Sequence, residues 1–427
     1  MTSANNYLMV LPVQHFRVGI SDVAVEGPFA EHLRMMRERL GKDAVALVIA
    51  SPAMDQQAYE SKALLMSVIN EDKETIRFAT LFSENERQTP WRKLLGFLPV
   101  MRKLYALTKN SSYVHSGLSW NLWLPFEFAA ILFGILLQRR TIFVVDIDYR
   151  NSAAMSYRTG DWSWKSYAAC RYVYDTARSL QLRIAAKYCS LVLLKGRKLV
   201  TDFGTGQTNV QYMLDSAHSK GNIIDTASLQ KKIDELSDPA VPLRLTYFGR
   251  FTAYKGIDRC LRAVAMAKKA GANVQLDIIG NGEETDALQR LSTECDADAY
   301  VHFLRGLPFN QDFFQFLFQY HLLLAAPLRE DTPRSALDAM AAGIPYLAFA
   351  TYYYRELLES GAGRTVPWLD VEGMAQAIVE LDRNRHQLIT MMQRSVQYAT
   401  DNTQEIWLER RLAWTLPRRE TTMAPSL

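Results

Sequence analysis

The sequence of 427 residues predicts an α/β protein with two doubly wound domains, each built on a mostly parallel sheet. Two observations lead to this fold class. Short apolar runs of strand type alternate with amphipathic helical patterns in both halves of the chain. A polar stretch over residues 221–242, which ends in the motif "DPAVPL", separates the two series and is predicted to be a linker. Two such domains facing one another would leave a cleft for a ligand.

The N-terminal half, residues 1–220, carries its elements in the order expected for one such domain. "YLMVLPV" is predicted to be its first strand, and "GPFAEHLRMMRERLG" an amphipathic helix that ends at its last glycine. Further strands are predicted at Asp43–Ala50, Ser112–Gly117, Thr141–Asp148 and Ser190–Gly196. The segment Trp120–Arg140 is nearly apolar, but Pro125 and Glu127 interrupt it, and a spanning helix needs about 20 apolar residues. We therefore predict a buried core helix there and no spanning segment.

The C-terminal half, residues 243–399, repeats the alternation and contains the most informative stretch, "REDTPRSALDAMAAGIP". This stretch follows a short apolar strand and is predicted to form a loop and then a helix. Asp331 or Thr332 is suited to cap that helix, and Pro333 is suited to its first turn. Gly343 is suited to the left-handed backbone conformation that ends this helix.

Two carboxylates flank the start of this helix, Glu330 in the loop and Asp338 inside the helix. The carboxyl ends of parallel strands and the N-termini of helices favour anions such as phosphate. Carboxylates at the same place would repel phosphate, unless they reach past it to hydroxyl groups. The pattern therefore predicts a ligand with both phosphates and many hydroxyls, such as a nucleotide sugar.

Two further loops of this half follow predicted strands. Arg250 and Lys255 can hold a pyrophosphate, arginine through its fork of donors and lysine as a point charge. Taken alone, they could equally be solvated surface charges. Gly280 and Gly282 form a tight turn that could be no more than a turn, and the missing third glycine argues against an NAD site.

Taken in order, these segments resemble the C-terminal domain of GT-B glycosyltransferases of the large retaining family 4, also called group 1. The motifs that carry the resemblance are "GRFTAYKG", "IIGNG", "HFLRG" and "EDTPRSALDAMAAGIP", between Leu243 and Val366. The N-terminal half is similar only in layout. The resemblance implies a GT-B fold, with two facing Rossmann-like domains, an interdomain cleft, and a C-terminal helix over about 400–427 that crosses back onto the first domain.

The resemblance also implies roles for individual residues. Arg250 and Lys255 would hold the donor diphosphate and stabilise the leaving group, and Glu330 would face the donor sugar. Asp338 would bind the ribose hydroxyls. The donor-binding set would be completed by Gly249, Gly280, Gly282, Thr332, Arg334 and Ser335. Such enzymes use front-face attack, for which neither a protein nucleophile nor a metal nor another cofactor is expected.

Two positions depart from the family pattern. The family has glutamate where this chain has Asp338, one methylene shorter. It commonly follows its first glutamate with Gly-Phe-Gly, where this chain has Asp331, Thr332 and Pro333. Since Pro333 offers no N–H, donation from the backbone to the sugar is altered, and the identity of the donor sugar is not carried over.

Three residues of the N-terminal half are candidates for acceptor or sugar contact: Gly27, His115 and Asp148. His115 is predicted at a strand end, where a lone histidine is more often structural than functional, and both interpretations stay open. The "DID" motif that ends at Asp148 resembles the metal-binding Asp-x-Asp of the other glycosyltransferase fold. Because the GT-B motifs outweigh it, we interpret it as a strand end near the acceptor and expect no metal.

The net charge of +4 and the absence of a nucleic-acid motif argue against a nucleic-acid partner. Thr89–Asn110 mixes aromatic and leucine residues with five basic ones, which suits an interfacial helix on anionic lipid. An ordinary helical hairpin with a basic face fits equally well. We expect a cytoplasmic protein, peripheral on the inner face of the membrane if this segment binds lipid.

The sequence therefore predicts a retaining glycosyltransferase that uses a nucleotide diphosphate sugar and a hydroxyl acceptor. The predicted acceptor is a lipid-linked saccharide or a precursor of a cell-envelope or exopolysaccharide. Two alternatives stay open: a non-catalytic scaffold that binds nucleotide sugars, and a soluble transferase that acts on small molecules.

Overall fold

The computed structural model describes residues 5–41, 46–63, 66–83, 96–119, 121–122 and 124–416. The chain divides into two compact units. The first unit comprises Met1–Val145, Thr176–Met213 and Glu405–Leu427, and the second comprises Asp146–Asp175 and Leu214–Gln404. Residues 146–175 thus belong to the second unit, although they lie within the range expected for the N-terminal domain.

The first unit is built on a seven-stranded sheet in which all neighbouring strands are parallel. Its strands, in spatial order, are Val210–Met213, Leu191–Lys195, Arg140–Val145, Ser111–Gly117, Asn6–Val10, Leu47–Ala53 and Ile76–Ser83. A small antiparallel sheet adds Phe16–Arg17, Asp22–Glu26 and Met66–Asn70. Its helices are Gly27–Leu40, Gln56–Lys62, Glu71–Glu74, Phe97–Lys109, Phe126–Leu136, Arg197–Gly204, and most of Asp175–Tyr188 and of Gln404–Thr415.

The core of the first unit explains why its central strands are so apolar. Strands covered on both faces read as continuous hydrophobic runs, and Leu191–Lys195 is buried along its whole length. The predicted core helix is present as Phe126–Leu136. In the chain it follows the strand Ser111–Gly117 and precedes Arg140–Val145, and it buries Phe128, Ala130 and Ile131. Among the described ranges, no helix is both long enough and apolar enough to cross a bilayer.

The second unit is built on a six-stranded parallel sheet. Its strands, in spatial order, are Val301–Leu304, Val274–Asn281, Leu243–Arg250, Leu322–Ala325, Tyr346–Phe349 and Gly363–Val366. Its α-helices are Ser152–Arg158, Trp164–Ala169, Thr226–Ser237, Ile257–Lys269, Thr285–Glu294, Gln311–Leu317, Arg334–Ala341, Tyr352–Leu357, Val371–Arg383 and Arg385–Asp401. Short 3-10 turns lie at Lys220–Asn222, Ala253–Lys255 and Leu358–Ser360, and a π-turn at Cys170–Tyr174.

Two apolar layers sandwich this sheet. The helix Ile257–Lys269 turns Cys260, Leu261 and Val264 into one layer, with the 3.6-residue spacing that its sequence shows. The helix Arg334–Ala341 is buried in the other layer. Ligands of open parallel sheets bind at the carboxyl ends of the strands. The loops after Leu243–Arg250 and Leu322–Ala325 therefore mark the edge where a site is expected.

Candidate active site

The loop after Leu243–Arg250 carries the two predicted phosphate-binding cations. Arg250 is the last residue of the strand and is exposed, and Lys255 closes a 3-10 turn. The turn ends at Gly256, which has φ +63°, and a Cβ there would lie 1.9 Å from the carbonyl oxygen of Ala326. Only glycine fits both the left-handed backbone and this close approach. The position of Lys255 is thus set by backbone packing against the end of the neighbouring strand.

The predicted glycine turn lies beside this loop. Gly280 pairs with Gly249 in the sheet, and a Cβ on Gly280 would lie 2.0 Å from the Gly249 carbonyl oxygen. A Cβ on Gly282 would lie 2.3 Å from the carbonyl oxygen of Phe251. Because these glycines have no Cβ, the backbone at 280–282 can pack directly against the backbone at 249–251, next to Arg250. This close packing is a structural reason for glycine at both positions. Their predicted contact with the donor stays a prediction.

A pocket opens at the carboxyl ends of the two strands and brings part of the predicted set together. Lys255, Thr332 and Ser335 line it, and so does Asp331. Apolar and aromatic residues complete the lining: Tyr247, Phe248, Leu323, Leu324, Ala325, Pro327 and Tyr354. The pocket thus joins a cation and hydroxyl groups on an apolar floor, which is the usual composition of a ligand site.

Lys255 has charged and aromatic neighbours in this pocket. Its amine donates a hydrogen bond to the carboxylate of Asp331. The amine lies 5.3 Å from the centre of the Tyr254 ring, and the guanidinium of Arg329 lies 4.0 Å from the same ring. The two cations, Lys255 and Arg329, thus contact one aromatic ring, and the carboxylate of Asp331 offsets one of the two positive charges.

Glu330 is buried and is bound entirely by groups of the second unit. It accepts hydrogen bonds from the Asn151 amide at 2.9 Å and from the backbone N–H of Tyr352 at 3.0 Å. Burial raises the pKa of Glu330 above its ordinary value, while the bonds from Asn151 and Tyr352 act in the opposite direction. Because Tyr352 begins the helix Tyr352–Leu357, the carboxylate also lies at a positive helix end.

The helix Arg334–Ala341 starts one residue later than expected. Pro333 is the capping position, and no side chain caps the helix. The prediction that Asp331 or Thr332 caps it was wrong, because the carboxylate of Asp331 turns to Lys255 instead. Gly343 has the predicted left-handed backbone, with φ +64°. Arg334, at the first helical position, forms an ion pair with Asp215, which raises the pKa of the guanidinium.

Asp338 is buried and points to a segment that the sequence did not single out. Its Oδ1 accepts a hydrogen bond from the backbone N–H of His218 at 3.0 Å and lies 3.5 Å from the Nδ1 of the same residue. His218 in turn contacts the Ala399 carbonyl through Nε2 at 3.0 Å. In this structure the carboxylate therefore organises the polypeptide around residue 218, and its predicted bond to ribose stays a prediction.

Residues 146–175 supply partners that sequence reasoning missed. Asp148 lies beyond the end of its strand and forms an ion pair with Arg150 at 2.5 Å. Its backbone N–H donates to the hydroxyl of Tyr353 at 2.7 Å. Asp148 and Asn151 thus lie beside Glu330, in the second unit, and not in the first domain as expected. No periodic pattern marks Asn151; its position shortly after "DID" was the only signal.

The two remaining candidates lie in the first unit. Gly27 is the first residue of the helix Gly27–Leu40. His115 lies inside the strand Ser111–Gly117, buried, with Nδ1 3.1 Å from the hydroxyl of Tyr7. Burial lowers the pKa of His115 well below its ordinary value, so that the ring is neutral at pH 7. This environment agrees with the structural alternative that the sequence left open.

Part of the chain matches known proteins in sequence. Residues 230–400 match the family model described as glycosyl transferases, group 1. Among curated proteins, the GtfA subunit of the UDP-N-acetylglucosamine–peptide N-acetylglucosaminyltransferase of Streptococcus gordonii is 29% identical over 124 residues. That match covers 28% of this chain and 24% of the relative. The chain thus spans about a quarter of the length of the curated relatives that it matches.

Solved structures resemble the whole chain. HepE of Anabaena, solved in complex with UDP, aligns with a TM-score of 0.64 at 14% identity, over 96% of this chain and 98% of its own. WaaG, a glycosyltransferase involved in lipopolysaccharide biosynthesis, aligns with a TM-score of 0.63 at 13% identity over the same shares. Identities this low establish the fold. Residues 230–400 are therefore similar to group 1 glycosyltransferases, and the chain has the predicted GT-B fold.

Proposed function

We propose that this protein is a retaining glycosyltransferase that moves a sugar from a nucleotide diphosphate sugar to a hydroxyl acceptor. The observation that carries the proposal is the pocket at the strand ends, where Lys255, Thr332 and Ser335 converge within the segment that matches the group 1 family. A cation and hydroxyl donors at the carboxyl ends of parallel strands suit a diphosphate.

The chemistry assigned to the site is positioning and charge stabilisation. Arg250 and Lys255 neutralise the charge that grows on the leaving diphosphate, and this oxyanion helps to remove the proton of the acceptor hydroxyl. Glu330 orients the donor sugar through its hydroxyl groups, and Asp338 binds ribose. Preorganised charges of this kind are worth about 10²–10³ in rate each.

The donor proposed is a uridine diphosphate sugar. HepE has been solved with UDP and with UDP-glucose, and the name of the streptococcal relative specifies UDP-N-acetylglucosamine. A thermal-shift panel of UDP, GDP, ADP and UDP-sugars tests both the base and the site. At a hundredfold excess over Kd, bound nucleotide adds about 2.7 kcal/mol of stability.

The panel needs a matched pair of variants. Arg250→Ala removes an exposed arginine at the pocket edge, and Arg262→Ala removes an exposed arginine on the helix Ile257–Lys269. We expect UDP to stabilise the wild type and Arg262→Ala, and to lose most of its effect in Arg250→Ala. Equal shifts in all three proteins would refute the assignment of Arg250 to the diphosphate.

One observation favours a second candidate, a scaffold that binds nucleotide sugars without turnover. Glu330, Asp338 and Lys255 are each already bound by groups of this chain. Slow hydrolysis of the donor without acceptor distinguishes the two candidates, because a pure binder releases no UDP above background. UDP release by the wild type that is abolished in Glu330→Gln supports the enzyme.

The proposal extends to a peripheral membrane location and a lipid-linked acceptor. The described part of the predicted interfacial segment is the helix Phe97–Lys109; residues 89–95 lie outside the described residues. The helix buries Val100, Leu104 and Thr108 and exposes a stripe at helical spacing: Leu98, Arg102, Tyr105 and Lys109. Apolar, aromatic and basic side chains on one exposed face suit anionic lipid.

A neighbouring helix enlarges this stripe. Tyr105 contacts Phe133 edge to face at 5.6 Å, on the helix Phe126–Leu136, where Leu136 is 73% exposed. We expect the double variant Leu98→Ser, Tyr105→Ser to lose binding to phosphatidylglycerol vesicles. Leu180→Ser, which changes an exposed leucine elsewhere on the first unit, is the control. Unchanged vesicle binding and unchanged activity in the double variant would favour the soluble small-molecule transferase.

A further inference from the structure

The donor pocket contains an acid that opposes its proposed ligand. Asp331 is the one acidic residue among the described residues that line the pocket, and its carboxylate is paired with Lys255. The side chain of Lys255 is 22% exposed and that of Asp331 is 18% exposed. The pair is therefore neither sealed in the core nor free in solvent, and an entering ligand can reach both partners.

Asp331 is also one of the residues at which the chain departs from the motif that it resembles. The residues that follow Glu330 are Asp331, Thr332 and Pro333, where the family pattern commonly has Gly-Phe-Gly. A glycine there would leave Lys255 without a carboxylate partner at this place. With Asp331 present, a diphosphate that binds the amine also meets a negative charge close to its own, and like charges at short range repel.

Backbone contacts join the two loops that carry the pair, and an exchange of partners needs no more than movement of side chains. The N–H of Leu328 donates to the carbonyl of Tyr254 at 2.8 Å, and Gly256 packs against the Ala326 carbonyl. These contacts hold the two loops together on either side of the pair. The four-carbon stem of lysine lets its amine turn from one oxygen to another, and the Tyr254 ring lies 5.3 Å from the amine.

We propose that Asp331 is a displaceable counter-ion of Lys255. It holds the amine while the pocket is empty and yields it to the diphosphate of an entering nucleotide. Asp331 thereby limits how tightly the nucleoside diphosphate product is held, and it favours release of that product. This inference rests on the proposed function, in which Lys255 binds the donor diphosphate.

The test is calorimetric titration of UDP, GDP and ADP into the full chain and four variants. Asp331→Asn and Asp331→Ser remove the charge, and Asp331→Glu keeps it. Asp234→Asn makes the same charge change at an exposed site on the helix Thr226–Ser237. We expect roughly tenfold tighter binding of the nucleoside diphosphate in the first two variants. Binding to Asp331→Glu and Asp234→Asn should match the wild type.

Enzyme kinetics give a second readout. The inhibition constant of the nucleoside diphosphate product should fall by the same factor in Asp331→Asn, with no change in thermal stability of the unliganded protein. Equal or weaker binding in both uncharged variants overturns the inference, because Asp331 would then orient Lys255 for the ligand. Failure of the wild type and every variant to bind any of the three nucleotides overturns the proposed function itself, and the inference with it.

Discussion

The buried carboxyl of Glu127 makes a quantitative prediction about the pH dependence of stability. Glu127 lies at the start of the helix Phe126–Leu136 and is 3% exposed. It accepts a hydrogen bond from the hydroxyl of Ser119 at 2.8 Å, and that hydroxyl accepts one from the N–H of Phe128 at 2.9 Å. Burial raises the pKa of Glu127 from 4.5 to about 7, and these surroundings only partly offset it.

The sign of the effect follows from proton uptake. Between pH 4.5 and about pH 7 the folded protein keeps the proton of Glu127, while the unfolded chain releases it. The free energy of unfolding of the first unit therefore falls as the pH rises through this window and levels off above it. One pKa unit corresponds to about 1.36 kcal/mol, so the loss amounts to roughly 3 kcal/mol.

Glu127→Gln isolates this contribution. Its amide keeps an oxygen that can accept from Ser119 but carries no titrating proton. Relative to the wild type, the variant should gain about 3 kcal/mol between pH 4 and pH 8, measured by urea unfolding at several pH values. Glu38→Gln, at an exposed position on the helix Gly27–Leu40, is the control. A difference between Glu127→Gln and the wild type that is independent of pH would refute the reasoning.

Three further predictions concern the second unit. Gly256→Ala places a methyl group 1.9 Å from the carbonyl oxygen of Ala326, at a residue with φ +63°. We expect the free energy of unfolding, measured by chemical denaturation, to fall by more than about 2 kcal/mol, and nucleotide binding to weaken. Unchanged stability and binding would contradict this prediction. Arg385→Leu removes a buried guanidinium that donates to backbone carbonyls at 2.7 and 3.3 Å. We expect the free energy of unfolding to fall by roughly 3 kcal/mol in the same assay. A fall of less than about 1 kcal/mol would contradict this prediction. Asn151→Ala removes a hydrogen bond that lowers the pKa of Glu330. The acid limb of the pH–activity profile should therefore move to higher pH. An acid limb at the same pH would show that activity does not require ionised Glu330.

The sequence by itself determined the fold class and part of the order of elements; it did not predict the small antiparallel sheet or the strands Ile76–Ser83 and Val210–Met213. Alternation of strand and helix patterns predicted two α/β series, and parallel sheets of seven and six strands were found. Predicted strands differ from the observed ones by a few residues at their ends. Thr141–Asp148, for example, is a strand only to Val145. These features are readable because burial on a sheet or a helix repeats every 2 or 3.6 residues along the chain itself.

The ordered motifs of the second half also predicted the resemblance to group 1 glycosyltransferases, which the family match over residues 230–400 bears out. They are readable because the glycines and cations of a loop follow one another at short spacing. The structure explains two of these glycines by backbone contact: Gly280 against Gly249 and Gly282 against Phe251. A tight turn is a local property, so its residues can be recognised before the fold is known.

Only the tertiary structure decided which residues pair with the charged residues of the site. Asn151 reaches Glu330 across 179 positions, His218 meets Asp338 across 120, and Lys255 meets Asp331 across 76. The sequence predicted Asp331 or Thr332 as the helix cap, which was wrong, because Pro333 takes the capping position and the carboxylate of Asp331 pairs with Lys255. Partners that are remote in the chain become neighbours only when parallel strands bring their carboxyl ends to one edge of a sheet, and no local period records that meeting.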